Sequence, residues 1–209
     1  MPLNPLYMKK VETNIYTLLD HLKIRKAMYL GNHYNFHSLD AFVSGFTMAA
    51  SDRQLELNSC PNFGYFSTWL LGHLDKHYGL SGGWHWQITN RTKNDDQKSF
   101  DEFFYFLDIF KSSKAYSKSI IIDKSAIEFS KSGSVKRFEI IDGKEIPLDK
   151  TPFKIVWTTI DNSTTVWLDY LDKFENFLLG GIWSINSTEA ANKLTAEFGN
   201  FTSVWTEYS

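Results

Sequence analysis

The chain has 209 residues, of which 43% are hydrophobic and 22% charged, a composition typical of a globular protein with a sizeable core. Its formal net charge of −2 argues against a nucleic-acid-binding protein, because no excess of basic side chains would attract a phosphate backbone. Cys60 is the single cysteine, which excludes an intrachain disulfide and suits a reducing cytosol. We find neither a signal peptide nor a run of about 18 apolar residues that could span a membrane. We therefore expect a cytoplasmic protein that does not bind membranes.

The N-terminal part of the chain carries helical patterning. Apolar residues at i, i+4, i+7, i+8 and i+11 predict an amphipathic helix over 11–24. The sequence RKAMYLG follows at 25–31, and Ser38 is the expected N-cap of a second helix. We therefore interpret RKAMYLG as a helix-to-helix connection, in which Met28, Tyr29 and Leu30 fill the gap and Gly31 ends the turn.

Two further helices are predicted before residue 112. Pro61 fits the first turn of a third helix, which we expect to end at 78–80, where a glycine is followed by an apolar residue. The stretch NDDQKSFDEFFYFLDIFKSS at 94–113 predicts a fourth helix with a wide apolar face. That face is formed by Phe100, Phe103, Phe104, Leu107 and Phe110. Between the two lies WHWQIT at 84–89, whose pattern fits a strand or a helix equally well.

The character of the sequence changes near residue 112. Short β-rich runs follow, and Asp142-Gly143 between two of them predicts a two-residue β-hairpin. Apolar spacing over 165–179 predicts a helix, and Ser187 is the expected N-cap of another. We therefore predict an α+β fold, in which a helical N-terminal half (1–111) packs on a mixed C-terminal half (112–209) with an antiparallel β-hairpin and two helices. We expect both halves to form one compact unit.

Histidines at helical spacing are the candidate residues for catalysis. His73 and His77 stand four residues apart and could face one metal ion, and His33 and His37 repeat that spacing. A zinc-protease helix, however, needs Glu directly after the first His, and Leu74 occupies that position. A metal-dependent or nucleophilic hydrolase using His73 and His77 is therefore the alternative function, and histidines that merely interact with a helix terminus are the simpler explanation.

Acidic side chains mark the outer faces of two predicted helices. On the fourth helix Asp101, Glu102, Tyr105 and Asp108 point away from the phenylalanines. The predicted 165–179 helix likewise turns outward Asp169, Asp172, Glu175 and Asn176. These residues either form ordinary solvated helix faces or an acidic, aromatic-rimmed surface that binds a basic protein partner.

Four motifs in residues 18–111 resemble a group of small bacterial proteins. The group has an Arg-Pro-x-Met-Tyr-Leu-Gly turn, matched at 25–31 with Lys26 in place of proline, and an L-x-A-F-x-x-G-F helix, matched at 39–46. It also has a Tyr-Gly-Leu segment ending in Trp, matched at 78–86, and an acidic F-D-x-F-F helix, matched at 100–108. Some members look like immunity partners of polymorphic or contact-dependent growth-inhibition toxins. The resemblance implies a binding protein and no catalytic residues.

The leading hypothesis is therefore an immunity protein that neutralises a cognate bacterial toxin, expected to be a nuclease domain, by occluding its active site. The expected partner-binding residues are Asp101, Glu102, Tyr105, Asp108, Asp169, Asp172 and Glu175. We expect no enzymatic activity, no cofactor, no bound metal and no nucleic-acid partner. A nucleic-acid-binding regulator is the third hypothesis, and the sequence leaves the oligomeric state open.

Overall fold

The computed structural model describes residues 15–52, 61–74, 83–122, 126, 138–141, 144–147, 152–175, 177–199 and 204–208. The chain divides into two units, one of residues 1–67 and 77–112 and the other of residues 68–76 and 113–209. Most described helices lie in the N-terminal half, and an antiparallel sheet lies in the C-terminal half, so the protein has the predicted α+β fold. One boundary between the units follows residue 112, near the change in sequence character, but residues 68–76 of the predicted helical half belong to the second unit. The packing of both halves as one compact unit stays a prediction.

Six α-helices are described before residue 113. Their bounds are α1 Ile15–Ile24, α2 Lys26–Leu30, α3 Phe36–Asp52, α4 Phe66–Leu74, α5 Gly83–Thr92 and α6 Asp96–Ser112. A short 3₁₀ turn, Phe63–Tyr65, precedes α4, and the residues of α4 from Thr68 onward belong to the second unit. The ambiguous stretch at 84–89 is thus helical, and the predicted end of the third helix at 78–80 lies outside the described residues.

Aromatic side chains form the core of the first unit. All five residues of the predicted apolar face of α6 are buried, as its helical spacing predicted. The ring of Phe66 contacts those of Phe103 and Phe110, with centroids 5.7 and 5.4 Å apart. The ring of Phe36 meets Phe100 edge to face at 5.5 Å. Perpendicular ring contacts such as Phe66–Phe103 and Phe36–Phe100 add to the free energy of burying the rings, so these pairs help to fix how the helices meet.

The start of α3 differs from the prediction. Asn35, not Ser38, is its N-cap: Asn35 Oδ1 accepts the Ser38 N–H at 2.9 Å, and Ser38 Oγ accepts the Asn35 N–H at 3.3 Å. The Phe36 N–H donates to Asp96 Oδ1 at 2.8 Å. The first N–H groups of a helix have no partner within the helix, and here the carboxylate of Asp96 in α6 supplies one.

The second unit is built on a five-stranded antiparallel sheet with the order β6-β5-β4-β1-β7. Its strands are β1 Ala115–Ile121, β4 Lys154–Ile160, β5 Val166–Leu171, β6 Phe177–Ser184 and β7 Thr206–Glu207. The seventh described helix, α7 Ser187–Phe198, packs on β5 and β6 through Ala190, Leu194 and Phe198. The predicted hairpin is present as β2 Phe138–Ile141 paired with β3 Lys144–Pro147. Its Asp142-Gly143 turn lies outside the described residues.

The predicted helix over 165–179 is wrong, because β5 and the first part of β6 occupy that stretch. All six residues of β5 are buried, so the strand has no solvent face and shows no alternation of apolar and polar residues. Its spacing of large side chains imitates helical periodicity for that reason. The other predicted C-terminal helix is present, with Asn186 rather than Ser187 as its N-cap.

The last turns of α4 fit tightly against the β4–β5 connection within the second unit. Trp69 Nε1 donates to the Asp161 carbonyl at 2.8 Å, and Ser163 Oγ donates to the Trp69 carbonyl at 3.1 Å. Gly72 lies at the point of closest approach. A Cβ there would meet the Thr165 backbone nitrogen at 2.9 Å and the Ser163 hydroxyl oxygen closer still. Only glycine therefore allows this helix to lie against the connection.

This close contact predicts opposite effects for the same substitution in two helices. Gly72→Ala should lower the free energy of unfolding by about 1–3 kcal/mol, because the backbone must shift to admit the methyl group. Gly45→Ala in α3 should raise it by about 0.5–1 kcal/mol, since no heavy atom lies within 4 Å of the added Cβ and alanine favours a helix. Denaturant unfolding measures both, and equal effects in the two variants would contradict the packing at Gly72.

Candidate protein-binding surface

The outer side of α6 lines a groove in the first unit. Asp101, Tyr105 and Asp108 lie at i, i+4 and i+7 on this helix and are exposed, with Tyr105 62% exposed. Lys23 of α1 and Lys26 of α2 line the same groove. The structure thus brings together three of the residues predicted to bind a partner, and two lysines that were not predicted lie beside them.

A second groove adjoins the first and shares both lysines. It is lined by Lys23, Ile24, Arg25, Lys26, Ala27, Met28 and Tyr34. Ile24 is 80% exposed and Met28 is 67% exposed. Because the grooves have two residues in common, they form one continuous area, which we call the α2–α6 surface. It consists of the residues that line the two grooves.

The RKAMYLG segment therefore differs from its predicted role. Met28 was expected to fill a gap between helices, and this prediction is wrong because its side chain stands largely in solvent. Tyr29 and Leu30 are half-buried, and the Tyr29 ring meets Phe42 edge to face at 6.0 Å. Gly31 has φ +85°, so its prediction as a glycine-dependent turn is confirmed. The segment connects α1 to α3 and presents one face to solvent.

Side chains of both charge signs lie on the α2–α6 surface. Lys23 Nζ lies 2.9 Å from Asp108 Oδ2, and both side chains are about half exposed. Lys26 Nζ lies 4.5 Å from the centroid of the Phe100 ring, a cation–π contact. Asp101 accepts a hydrogen bond from Gln97 Nε2 at 2.9 Å. An exposed ion pair contributes only about 0–1 kcal/mol, so Lys23 and Asp108 can exchange each other for charges on a partner.

Glu102 lies apart from these residues. Glu102 directly follows Asp101 on α6 but does not line either groove. Its carboxylate instead accepts a hydrogen bond from Arg91 Nε of α5 at 3.0 Å. Both side chains are about 30% exposed. The acidic face predicted for α6 is therefore divided, with Asp101 and Asp108 on the groove side and Glu102 engaged with α5.

The acidic residues of the second unit do not form a helix face. Asp169 lies in β5 and is buried, so its predicted outward orientation is wrong. Asp172 and Glu175 lie in the β5–β6 connection, where Asp172 Oδ1 accepts the Phe174 N–H at 2.7 Å, and the Glu175 carboxylate pairs with Lys154. These contacts order the turn. A partner-binding role for Asp172 and Glu175 stays a prediction, and Asn176 lies outside the described residues.

Histidine placement also departs from the predicted pairing. His73 stacks on Trp69 with ring centroids 4.6 Å apart, and its Nδ1 lies 2.8 Å from the Asn162 carbonyl oxygen. That nitrogen is thereby positioned as a donor to the β4–β5 connection. His77 and Cys60 lie outside the described residues, so the two-histidine site stays a prediction.

A different histidine cluster lies in the first unit. His37 and Asp40 of α3 and His85 of α5 place one ligand atom each within 4.8 Å of one another. Burial lowers the pKa of His85, and His37 lowers it further, while Asp40 and Asp96 oppose the shift. The H-x-x-D spacing of His37 and Asp40 could have suggested a shared helix face. Nothing in the sequence placed His85 beside them, because its helix was ambiguous.

Exposure differences along RKAMYLG predict which residue stabilises the fold. Met28→Asp should leave the melting temperature nearly unchanged, because the Met28 side chain is largely solvated in the folded state. Tyr29→Ala should lower the free energy of unfolding by about 1–2 kcal/mol through loss of burial and of its contact with Phe42. Thermal and denaturant unfolding measure both, and a strong destabilisation by Met28→Asp would restore the gap-filling interpretation.

Among the described helices, none is both long enough and apolar enough to cross a lipid bilayer. Comparison of the chain with protein-family models, curated proteins and solved structures finds no match.

Proposed function

We propose that the chain is an immunity-type protein that binds a cognate toxin through the α2–α6 surface and neutralises it by occluding its active site. The observation that carries this proposal is the exposure of three large apolar side chains, Ile24, Met28 and Tyr105, at 80%, 67% and 62% on one continuous area. Single exposed apolar residues are ordinary, but a group of them rimmed by charges is typical of a protein-interaction site.

The residue types on this surface support a protein partner. Tyrosine, methionine and arginine are enriched where proteins meet, and here Tyr34, Met28, Arg25 and Tyr105 all contribute to the grooves. Tyr34 is held by an edge-to-face contact with Phe100 at 5.6 Å, so little conformational entropy remains to be lost when it binds. A partially fixed aromatic residue is a suitable anchor for recognition.

The charges on the α2–α6 surface suit a partner whose contacting surface carries both basic and acidic groups. Asp101 and Asp108 would face basic side chains, as expected if the toxin is a nuclease domain that holds a phosphate backbone. Lys23, Arg25 and Lys26 would face acidic groups at the rim of the same contact. This arrangement favours one orientation of the toxin, since opposite charges must meet on both sides of the apolar centre.

The resemblance of residues 18–111 to immunity partners points in the same direction, because the RKAMYLG motif that carries it forms much of this surface. Neutralisation by occlusion needs no catalytic residue or cofactor in the chain. It requires only that the bound protein cover the toxin's active site, and we expect this to happen in the cytoplasm.

Two methionines of almost equal exposure provide a matched test. Met28 is 67% exposed on the α2–α6 surface, and Met48 is 68% exposed on α3, where it lines neither groove. Met28→Asp should weaken toxin binding at least about tenfold, because a carboxylate would be desolvated at the centre of the contact. Met48→Asp should leave binding unchanged. The probe is the toxin domain encoded beside this gene, measured by co-purification and by survival of cells that express it.

Three results would contradict the proposal. The wild-type chain could fail both to bind the neighbouring toxin and to protect cells, which would remove the function. Met28→Asp could bind as well as the wild type, which would move the interface elsewhere. Met48→Asp could lose binding as strongly as Met28→Asp while remaining folded, which would show that the toxin does not bind specifically through the α2–α6 surface.

A further inference from the structure

We propose that His37, Asp40 and His85 form a site for one divalent transition-metal ion, with Zn²⁺ the expected ion. This inference concerns residues that do not line the α2–α6 surface and does not depend on the proposed function.

The backbone brings the three side chains together. His37 and Asp40 are three residues apart on α3, so they project from the same side of that helix. His85 comes from α5, and its ring lies 5.5 Å from that of His37, centroid to centroid. One ligand atom from each residue lies within 4.8 Å of the others. Two rigid helices therefore contribute the cluster, as metal sites in helical proteins commonly require.

The surroundings of His85 hold the plane of its ring in place. The ring stacks on that of Phe36, with centroids 5.1 Å apart and an interplanar angle of 16°. Trp84 contacts it nearly perpendicularly at 6.1 Å. A ligand whose orientation is already fixed loses little entropy on binding an ion. His85 Nε2 is also buried and has no hydrogen-bond partner among the described residues. A buried polar atom of this kind calls for an explanation, and an ion bound to this nitrogen would provide one.

The donor set selects the class of ion. Two imidazoles and one carboxylate suit Zn²⁺ and related transition metals, whereas Ca²⁺ and Mg²⁺ prefer shells made of oxygen. Three protein ligands leave a fourth position for water or another small ligand. Ligand atoms about 2.0–2.1 Å from a tetrahedral ion are roughly 3.3 Å apart, so ligand atoms separated by more than this, up to 4.8 Å, must move together when the ion binds. His37 is exposed and Asp40 is half-buried, so rotation of these side chains can supply this movement.

The test uses the 209-residue chain, from which bound metal has first been removed with a chelator and the chelator then removed. Zn²⁺ titrated into the wild type should bind with one equivalent at the site and raise the melting temperature in proportion to the logarithm of its concentration. Co²⁺, which absorbs visible light strongly in a tetrahedral site, should give a coloured complex. Added Zn²⁺ should displace the Co²⁺ and remove the colour. His37→Ala should reduce Zn²⁺ affinity by at least about 100-fold, since even changes behind the ligands cost 10–100-fold. Asp40→Asn should also reduce the affinity for Zn²⁺.

His33→Ala is the matched control, because His33 is an exposed histidine in the turn before α3 and is not part of the cluster. It should bind Zn²⁺ like the wild type. The decisive variants change His37 and Asp40 because substitution of His85 would also remove its packing on Phe36. Absence of stoichiometric Zn²⁺ binding would overturn the proposal. So would a loss of binding in His73→Ala with full binding in His37→Ala, because the ion would then lie at another site.

Discussion

Packing of the Phe36 ring against α5 and α6 is the interaction on which the first unit depends. Phe36 is 1% exposed and is the first residue of α3. Its ring meets those of Trp84 and His85 from α5 and of Phe100 and Phe103 from α6, at centroid distances between 5.1 and 6.2 Å. Its N–H is bound by the carboxylate that opens α6. One residue thereby fixes the start of α3 against two other helices, both by apolar burial and by a helix-terminal hydrogen bond.

Both candidate sites are consequences of this arrangement. Tyr34 precedes Phe36 by two residues and packs on Phe100, which places it at the edge of the α2–α6 surface. His37 follows Phe36 directly, and His85 stacks on the Phe36 ring, which places both in the histidine cluster. Rigid positions suit both roles, because recognition and metal binding lose less free energy when the contacting groups are ordered beforehand.

Sequence periodicity predicted the parts of this fold in which one element has one buried face. The apolar stripe of α6 is the clearest case, because a helix with a single buried side repeats its apolar residues every three to four positions. The same reasoning failed for β5, where burial on both faces removes the alternation that identifies a strand. It also failed for Met28, since a run of three apolar residues shows that something is buried but not which side chain. Tyr29 and Leu30 take that role in part, and Met28 stands largely in solvent.

Sequence spacing likewise predicted only part of the candidate protein-binding surface. Spacing along α6 placed Asp101, Tyr105 and Asp108 on one side, because i, i+4 and i+7 positions coincide on any helix. It could not show that Lys23 and Lys26 lie across the groove, as those contacts join residues about 80 positions apart. The correction changes the physical interpretation: a surface expected to be acidic carries both charge signs. Under the proposed function, its specificity would rest on how the partner's charges are arranged around Tyr105 and Met28. Net charge would then say little about the proposed partner, and the order of charges around the apolar centre would say most.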